Sequence, residues 1–288
     1  SPGTLVFWHT VFMLLTVGVV AMGVEKGLER AVKFLMPLLF LILLGLLAYG
    51  ISTGKVGQAF EFLFKPDFSE VTGDTLLAAL GQAFFSLSLG MCGIMTYGAY
   101  LPRDISIPRV ATTVALTDTS VALLAGLAIF PLVFANGLEP GAGPGLIFVT
   151  LPIAFGQMPL GQLVGGLFFI MLAIAALTSA ISLSEPTIAW LSEKFGISRF
   201  KAVLLSGLAL WLLSLGTVFS FNAWSEITLF GKTFFDSLDY LTTNLMMPLG
   251  GLGTVLFTGW ALSRKTVQEA LGIEHPQLFG LWWQLLRW

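Results

Sequence analysis

Asp118 lies in an apolar run, residues 110–135, with Thr113, Thr117, Thr119 and Ser120 around it and no Lys or Arg nearer than Arg109. A carboxylate at the centre of a membrane helix costs about 2.5–3.5 kcal/mol on insertion scales, so a proton, a partner from another helix or a bound cation must neutralise it. A second group of oxygens is Ser86-Leu-Ser88-Leu-Gly90, with Gly93 beyond it, in the middle of the run 76–100. Serine offers a helix backbone alternative hydrogen bonds, and Gly costs a helix about 1 kcal/mol relative to Ala. Two readings fit: a helix that unwinds at membrane depth, or serines bonded back to carbonyls one turn earlier with a mild kink. Unwound backbone survives in a membrane only against protein or a cavity, where its carbonyls and half-helix ends can hold ions and a zwitterion. A third group is Thr178-Ser179, inside the small-residue stretch 173–180. Adjacent residues point about 100° apart on a helix, so one can face a cation and its neighbour a ligand. Back-bonding of these hydroxyls to carbonyls is equally open, and the alanines suit close helix packing. Glu185, nearer the cytoplasmic end, reads as a structural hydrogen-bond partner, and Pro186 as a bend.

The elements that must position these oxygens are membrane helices. The chain has 288 residues, of which 56% are hydrophobic, 32 are Gly and only 10% are charged, against about 25% charged in soluble domains. A soluble enzyme, a disordered tail and a nucleic-acid binder are disfavoured; a net charge of −2 leaves no basic footprint. The single cysteine, Cys92, excludes a disulfide framework and a thiolate zinc site, and reads as a small buried residue. His9 and His275 lack metal-ligand spacing. The stretch 50–54 matches a nucleophile-elbow pattern but has no strand before it, and 141–145 lacks the Lys-Ser/Thr of a phosphate loop. No nucleophile–base pair is visible, so the chain reads as no enzyme.

About 20 apolar residues cross a bilayer core of about 30 Å. Such runs occupy 5–23, 34–51, 76–100, 110–135, 160–191, 202–219 and 240–262, with a partial eighth over 278–288. Residues 1–288 thus read as one transmembrane domain, an all-α polytopic membrane protein of about seven full helices plus the start of an eighth. The first run lacks the basic leader of a signal peptide. Lys26, Arg30, Lys33, Arg103, Arg109, Lys194, Arg199, Lys201, Arg264 and Lys265 fall in one set of loops, and Lys55, Lys65 and Lys232 in the other. Ten basic residues against three put the first set in the cytoplasm and the N-terminus outside. Trp282, Trp283 and Trp288 read as interface anchors. Residues 136–145 form a turn-rich outer loop, and the apolar piece 146–156, too short to span, reads as a re-entrant or lid-like hairpin. A start at Ser1 and a stop inside an apolar run suggest a partial sequence.

These residues, in this order, resemble the neurotransmitter:sodium symporters, the family of the bacterial leucine transporter. Gln82-Ala-Phe-Phe-Ser-Leu-Ser-Leu-Gly90 looks like the family's broken sixth helix, and Gly27-Leu-Glu-Arg30 through Met36-Pro37 like its fourth-to-fifth loop. Lys65-Pro-Asp-Phe68 precedes the sixth helix as in bacterial members, and Leu177-Thr178-Ser179 looks like the eighth-helix sodium motif. The resemblance implies a partial LeuT-type inverted-repeat fold covering helices four to ten and the start of eleven, without the first three. It implies sodium-coupled symport of amino acids across the plasma membrane, with sodium as the coupled ion. The implied partners are an amino acid, the lipid bilayer and the missing N-terminal helices, with no nucleic acid.

Carried over by position, the resemblance implies that Ser86 and Asp118 are ligands of a first sodium site. Ala175, through its carbonyl, Thr178 and Ser179 become ligands of a second. Phe85, Ser86, Ser88, Met91, Ser179 and Leu183 fall in the substrate pocket, with Phe85 as its outer lid. Asp239 and Glu193 become the acidic halves of the outer and inner gates, whose arginine partners would precede Ser1. Two departures from the family matter. Asp118 stands where Asn is common, and Ala122 where chloride-dependent members carry Ser; a fixed anion then replaces chloride, which implies chloride-independent transport. Met91 stands where an aromatic is common, and its flexibility favours hydrophobic or aromatic amino acids. The chain alone is expected to be inactive. The rivals are a proton-coupled permease of the same broken-helix architecture, with Asp118 carrying the proton, and a non-transporting membrane fragment.

Overall fold

A computed structural model describes residues 2–23, 29–99, 101–102, 105–140, 143–273 and 275–288. Lys26, Gly27 and Leu28, Tyr100, Arg103, and Gly141 and Ala142, which enter the loop and span readings above, lie outside the described residues. In chain order the helices are α1 (Pro2–Ala21), α2 (Arg30–Ser52), α3 (Val56–Phe64), α4 (Gly73–Ser86), α5 (Gly93–Ala99) and α6 (Ile107–Ala135). They continue with α7 (Gly143–Gln157), α8 (Gly161–Phe195), α9 (Arg199–Ser220), α10 (Phe234–Ala261), α11 (Arg264–Leu271) and α12 (Pro276–Arg287). Among the described residues α1, α2, α6, α8 and α9 are long and apolar enough to cross a membrane, and α10, bent by 115° from α11, is a sixth candidate. Their apolar side chains are not confined to one stripe: Leu14, Phe34, Leu41, Leu116, Leu163, Leu213 and Leu249 are all exposed, as expected where lipid rather than water surrounds a helix.

Starts and stops follow local chemistry. Thr72 caps α4, its hydroxyl accepting from the Thr75 N–H at 3.2 Å while Thr75 returns a bond to the Thr72 N–H. Thr233 and Asp236 make the same reciprocal pair at the head of α10. Proline shapes the interiors. Pro152 and Pro248 have no N–H to give, and each comes one residue after the residue that closes a widened π turn, 146–150 in α7 and 241–246 in α10. There Leu151 and Met247 bond five residues back, to Leu146 and Thr242. The wider turn absorbs the clash a proline ring makes with the carbonyl four residues before it. Pro186 lies inside α8, which stays helical from Gly161 to Phe195. In the outer connection, outside the spans, the Lys65 ammonium holds the Glu61 carboxyl below its usual range, and the Ser69 hydroxyl and N–H do the same for Asp67.

The chain forms two compact units: Ser1–Val17, Val71–Asp118 and Leu183–Trp288 make up the first, Gly18–Glu70 and Thr119–Ser182 the second. The second unit has a dense apolar core of Leu43, Leu46, Leu132, Val133, Leu151, Phe155 and Phe168. There α2 and α6 touch closely at Gly50, whose absent side chain leaves room for the Ala128 carbonyl, 3.0 Å from where a Cβ would sit. The piece 146–156 is not a hairpin. It belongs to the continuous helix α7, which buries Leu151, Ala154 and Phe155 in this core. The π turn before Pro152 lets the chain continue as helix where a reversal is expected.

In the first unit α1 meets α9 through polar contacts: Trp211 Nε1 donates to Thr10 Oγ1 at 3.1 Å, and Ser214 Oγ lies 2.9 Å from His9 Nε2. A small cluster of Val267, Phe279 and Trp283 joins α11 to α12. Trp283 is therefore a buried packing residue rather than an interface anchor, whereas Trp288 is 98% exposed.

Candidate functional site

The helix that opens at Gly73 stops at Ser86, and the next begins at Gly93. Between them the backbone takes left-handed conformations at Ser88 (φ 54°), Gly90 (φ 77°) and Cys92 (φ 62°). Such angles cannot continue a right-handed helix, and outside glycine each costs about 1–2 kcal/mol. The segment is held by α10. A Cβ at Gly90 would collide with the Met247 carbonyl, and Cβ atoms at Gly250 and Gly251 would strike the Gly90 carbonyl and the Phe84 ring. These glycines thus let two backbones touch: the unwound stretch packs on α10 on one side and borders an open cleft at Met91 and Cys92 on the other, the kinds of setting a membrane tolerates. The pairing of the Ser86–Gly93 pattern with Gly250-Gly251 was a signal the sequence carried and a single-helix reading misses.

Ser86, at the end of α4, points at α6. Its Oγ donates a short hydrogen bond to Asp118 Oδ2. The serine is not bonded back to its own helix, and both groups are partly buried in the first unit. Asp118 is the twelfth residue of the 29-residue α6, about 16 Å from its start at 1.5 Å per residue and so near mid-membrane. A carboxylate and a hydroxyl beside a broken helix form an oxygen-only donor set. Such a set suits a hard cation and offers nothing to a soft one. Among the described residues no group of three or more His, Cys, Asp or Glu could hold a metal ion.

Thr178 and Ala175 are neighbours in the second unit. The buried Thr178 hydroxyl donates to the Ile174 and Ala175 carbonyls, each at 3.0 Å, so back-bonding holds here. That commits the proton and leaves hydroxyl lone pairs, which are what a cation uses. Ser179, one residue on, is exposed.

Of the expected pocket residues, Met91 and Leu183 meet. They line an open cleft of about 800 Å³ between α5 and α8, together with Met95, Trp190 and Glu193. Cys92 is exposed in the same cleft rather than buried as expected, because its left-handed φ sits in the break. Phe85 is 54% exposed and Ser88 partly buried; both flank the break and neither lines this cleft. Asp239 accepts from Thr243 Oγ1 at 3.3 Å, a turn on along α10. Neither Asp239 nor Glu193 forms a salt bridge among the described residues.

Glu185 is 2% exposed at its side chain, and Arg199 at the start of α9 holds both its oxygens at 2.8 and 2.7 Å. The sequence marked Glu185 as a hydrogen-bond partner but did not identify Arg199. The two are 14 residues apart across a helix turn, and only the α8–α9 hairpin brings them together.

The model of the sodium:neurotransmitter symporter family matches residues 1–286. A sodium-dependent transporter of Bacillus subtilis, YhdH, is 40% identical over 280 residues, 96% of this chain and 62% of its own length. A sodium-dependent transporter of Haemophilus influenzae is 35% identical over 288 residues, 100% of this chain and 63% of its own. The crystal structure of MhsT in complex with L-phenylalanine superposes with a TM-score of 0.90 at 42% identity, covering 98% of this chain and 65% of that one. The chain therefore spans just under two thirds of the length of each of these proteins.

Proposed function

The chain belongs to the sodium:neurotransmitter symporter family, and from that premise we propose that it carries the ion- and substrate-binding part of a sodium-coupled amino acid symporter. Its all-α architecture is of the LeuT type, its family is one of transporters rather than enzymes, and it is a multi-pass plasma-membrane protein. One observation carries the proposal: Ser86 Oγ on Asp118 Oδ2, at the end of a helix broken inside the membrane. That pair supplies two oxygens to a first sodium site. Ala175, Thr178 and Ser179 supply those of a second.

Phe85, Ser88, Met91 and Leu183 shape the pocket for a hydrophobic or aromatic side chain, with Ser179 as a polar donor. Support comes from the flexible Met91 and from the L-phenylalanine bound to MhsT, a protein 42% identical to this one. Asp239 and Glu193 gate the two ends. Sodium that binds one state of the protein better than another shifts the population toward it, and an amino acid doing the same completes the coupling. Asp118 is the fixed anion that makes chloride dispensable.

The test is amino acid binding by a chimera that joins this chain to the remaining length of the Bacillus subtilis relative, across a panel of amino acids. Binding is expected to need sodium, to favour apolar and aromatic amino acids, and to be indifferent to replacing chloride with gluconate. Binding that ignores sodium but follows protonation would move the role of counter-ion to a proton on Asp118. Binding lost with chloride would remove Asp118 as its substitute.

A further inference from the structure

In the first unit, around the α11–α12 cluster, two guanidinium groups lie over aromatic faces. The Arg287 guanidinium lies 5.3 Å from the centroid of the Trp260 ring and 5.8 Å from that of Trp283. Trp283 lies 5.9 Å from Phe279, and Arg264 covers the Phe279 ring at 5.5 Å. The result is a continuous ladder, Trp260–Arg287–Trp283–Phe279–Arg264, along the elbow of α10, α11 and α12. Gly259 makes room for it, since a Cβ there would sit 3.3 Å from Arg287 Cγ. Among the described residues neither arginine meets a carboxylate, and the nearby Glu269 is turned to Lys265 at 3.9 Å. Arg287 Nε is buried with no hydrogen-bond partner.

Stacking uses the face of a guanidinium and leaves its in-plane N–H edge for an anion. A buried N–H donor without an acceptor is costly, and a planar fork of five donors matches phosphate oxygens. The depth is right for a headgroup: Trp260 is in the last turn of α10, at the side that the loop charges place in the cytoplasm. The cytoplasmic leaflet carries the anionic lipids. Beside the arginines α12 exposes Leu278, Leu281 and Leu285, a surface for acyl chains that a free phosphate would not need.

We propose that the α10–α11–α12 elbow binds an anionic phospholipid, with Arg264 and Arg287 facing its headgroup and the exposed leucines of α12 along its tails. The test is lipid retention by the full chain purified in dodecyl maltoside, titrated with phosphatidylglycerol or with phosphatidylcholine of the same chains, and counted by native mass spectrometry. Phosphatidylglycerol is expected to bind about 25-fold more tightly at low salt, at roughly fivefold per arginine near the surface. Arg264→Gln with Arg287→Gln removes the preference, and Lys201→Gln, in the first turn of α9, leaves it. If circular dichroism shows the double variant unfolded, the single variants Arg264→Gln and Arg287→Gln are each expected to lose about fivefold. A wild-type chain that does not distinguish the two lipids, a preference unchanged in the variants, or displacement of phosphatidylglycerol by millimolar inorganic phosphate overturns the proposal.

Discussion

A hydroxyl bonded to a carboxylate inside a membrane is a small arrangement with large energetic consequences. Ser86 lowers the cost of Asp118 by one hydrogen bond, and a charge-assisted bond is worth roughly 1.5–3 kcal/mol; it does not remove the charge. A cation completes the neutralisation. Asp118→Asn in the chimera is therefore expected to raise the sodium concentration for half-maximal binding about tenfold or more, and Ser86→Ala to raise it less. Radioligand binding across a sodium series reads both, and an Asp118→Asn variant with the wild-type sodium curve sinks the ligand assignment. Glu185 and Arg199 follow different logic, because there the counter-charge is already in the chain. Removing Arg199 alone strands a buried carboxylate and costs about 3–5 kcal/mol, whereas replacing both partners by Met is closer to neutral. Thermal unfolding in detergent of Arg199→Met and of the double variant separates the two cases; equal losses would mean the pair is not what matters.

Helices carry these groups, and here the interruptions matter more than the regular turns. The break between α4 and α5 depends on left-handed backbone at Gly90 and on contact with the Met247 carbonyl. Gly90→Ala is expected to cost more than the 1–2 kcal/mol of the backbone conformation alone, since a methyl has nowhere to go. Gly93, three residues on and already helical, has open space around its would-be Cβ, so Gly93→Ala is expected to stabilise by up to about 1 kcal/mol. Melting temperatures of the two variants should move in opposite directions; a shared direction would mean that helix propensity, not the break, governs this segment. The sequence left the break as one of two readings, because Ser and Gly together are poor at sustaining a helix but can also give only a mild kink. The π turns before Pro152 and Pro248 were not legible. Proline announces a lost hydrogen bond, but whether the chain kinks, reverses or widens depends on what packs beside it, and in α7 the apolar core around Leu151 and Phe155 keeps it helical.

For the whole molecule, the asymmetry of basic loops sets the orientation. In a background with Cys92→Ala, single cysteines at Lys55 and Lys232 are expected to react with a membrane-impermeant maleimide on intact cells. Cysteines at Lys194 and Lys265 should react only after permeabilisation, and the reverse pattern would invert the topology. The sequence by itself determined that this is a multi-span membrane protein, where most spans lie, and that Asp118, Ser86 and Thr178 are candidates for chemistry. Those follow from hydropathy and from the cost of burying charge, which are properties of single residues and their near neighbours along the chain. Only the tertiary structure decided that Ser86 reaches Asp118, that Arg199 closes on Glu185, that Gly90 leans on α10, and that Arg264 and Arg287 share an aromatic ladder. Each joins residues 14 or more positions apart, and no local periodicity encodes such a distance, because helix packing sets it through side-chain shape and the few glycines that let backbones meet.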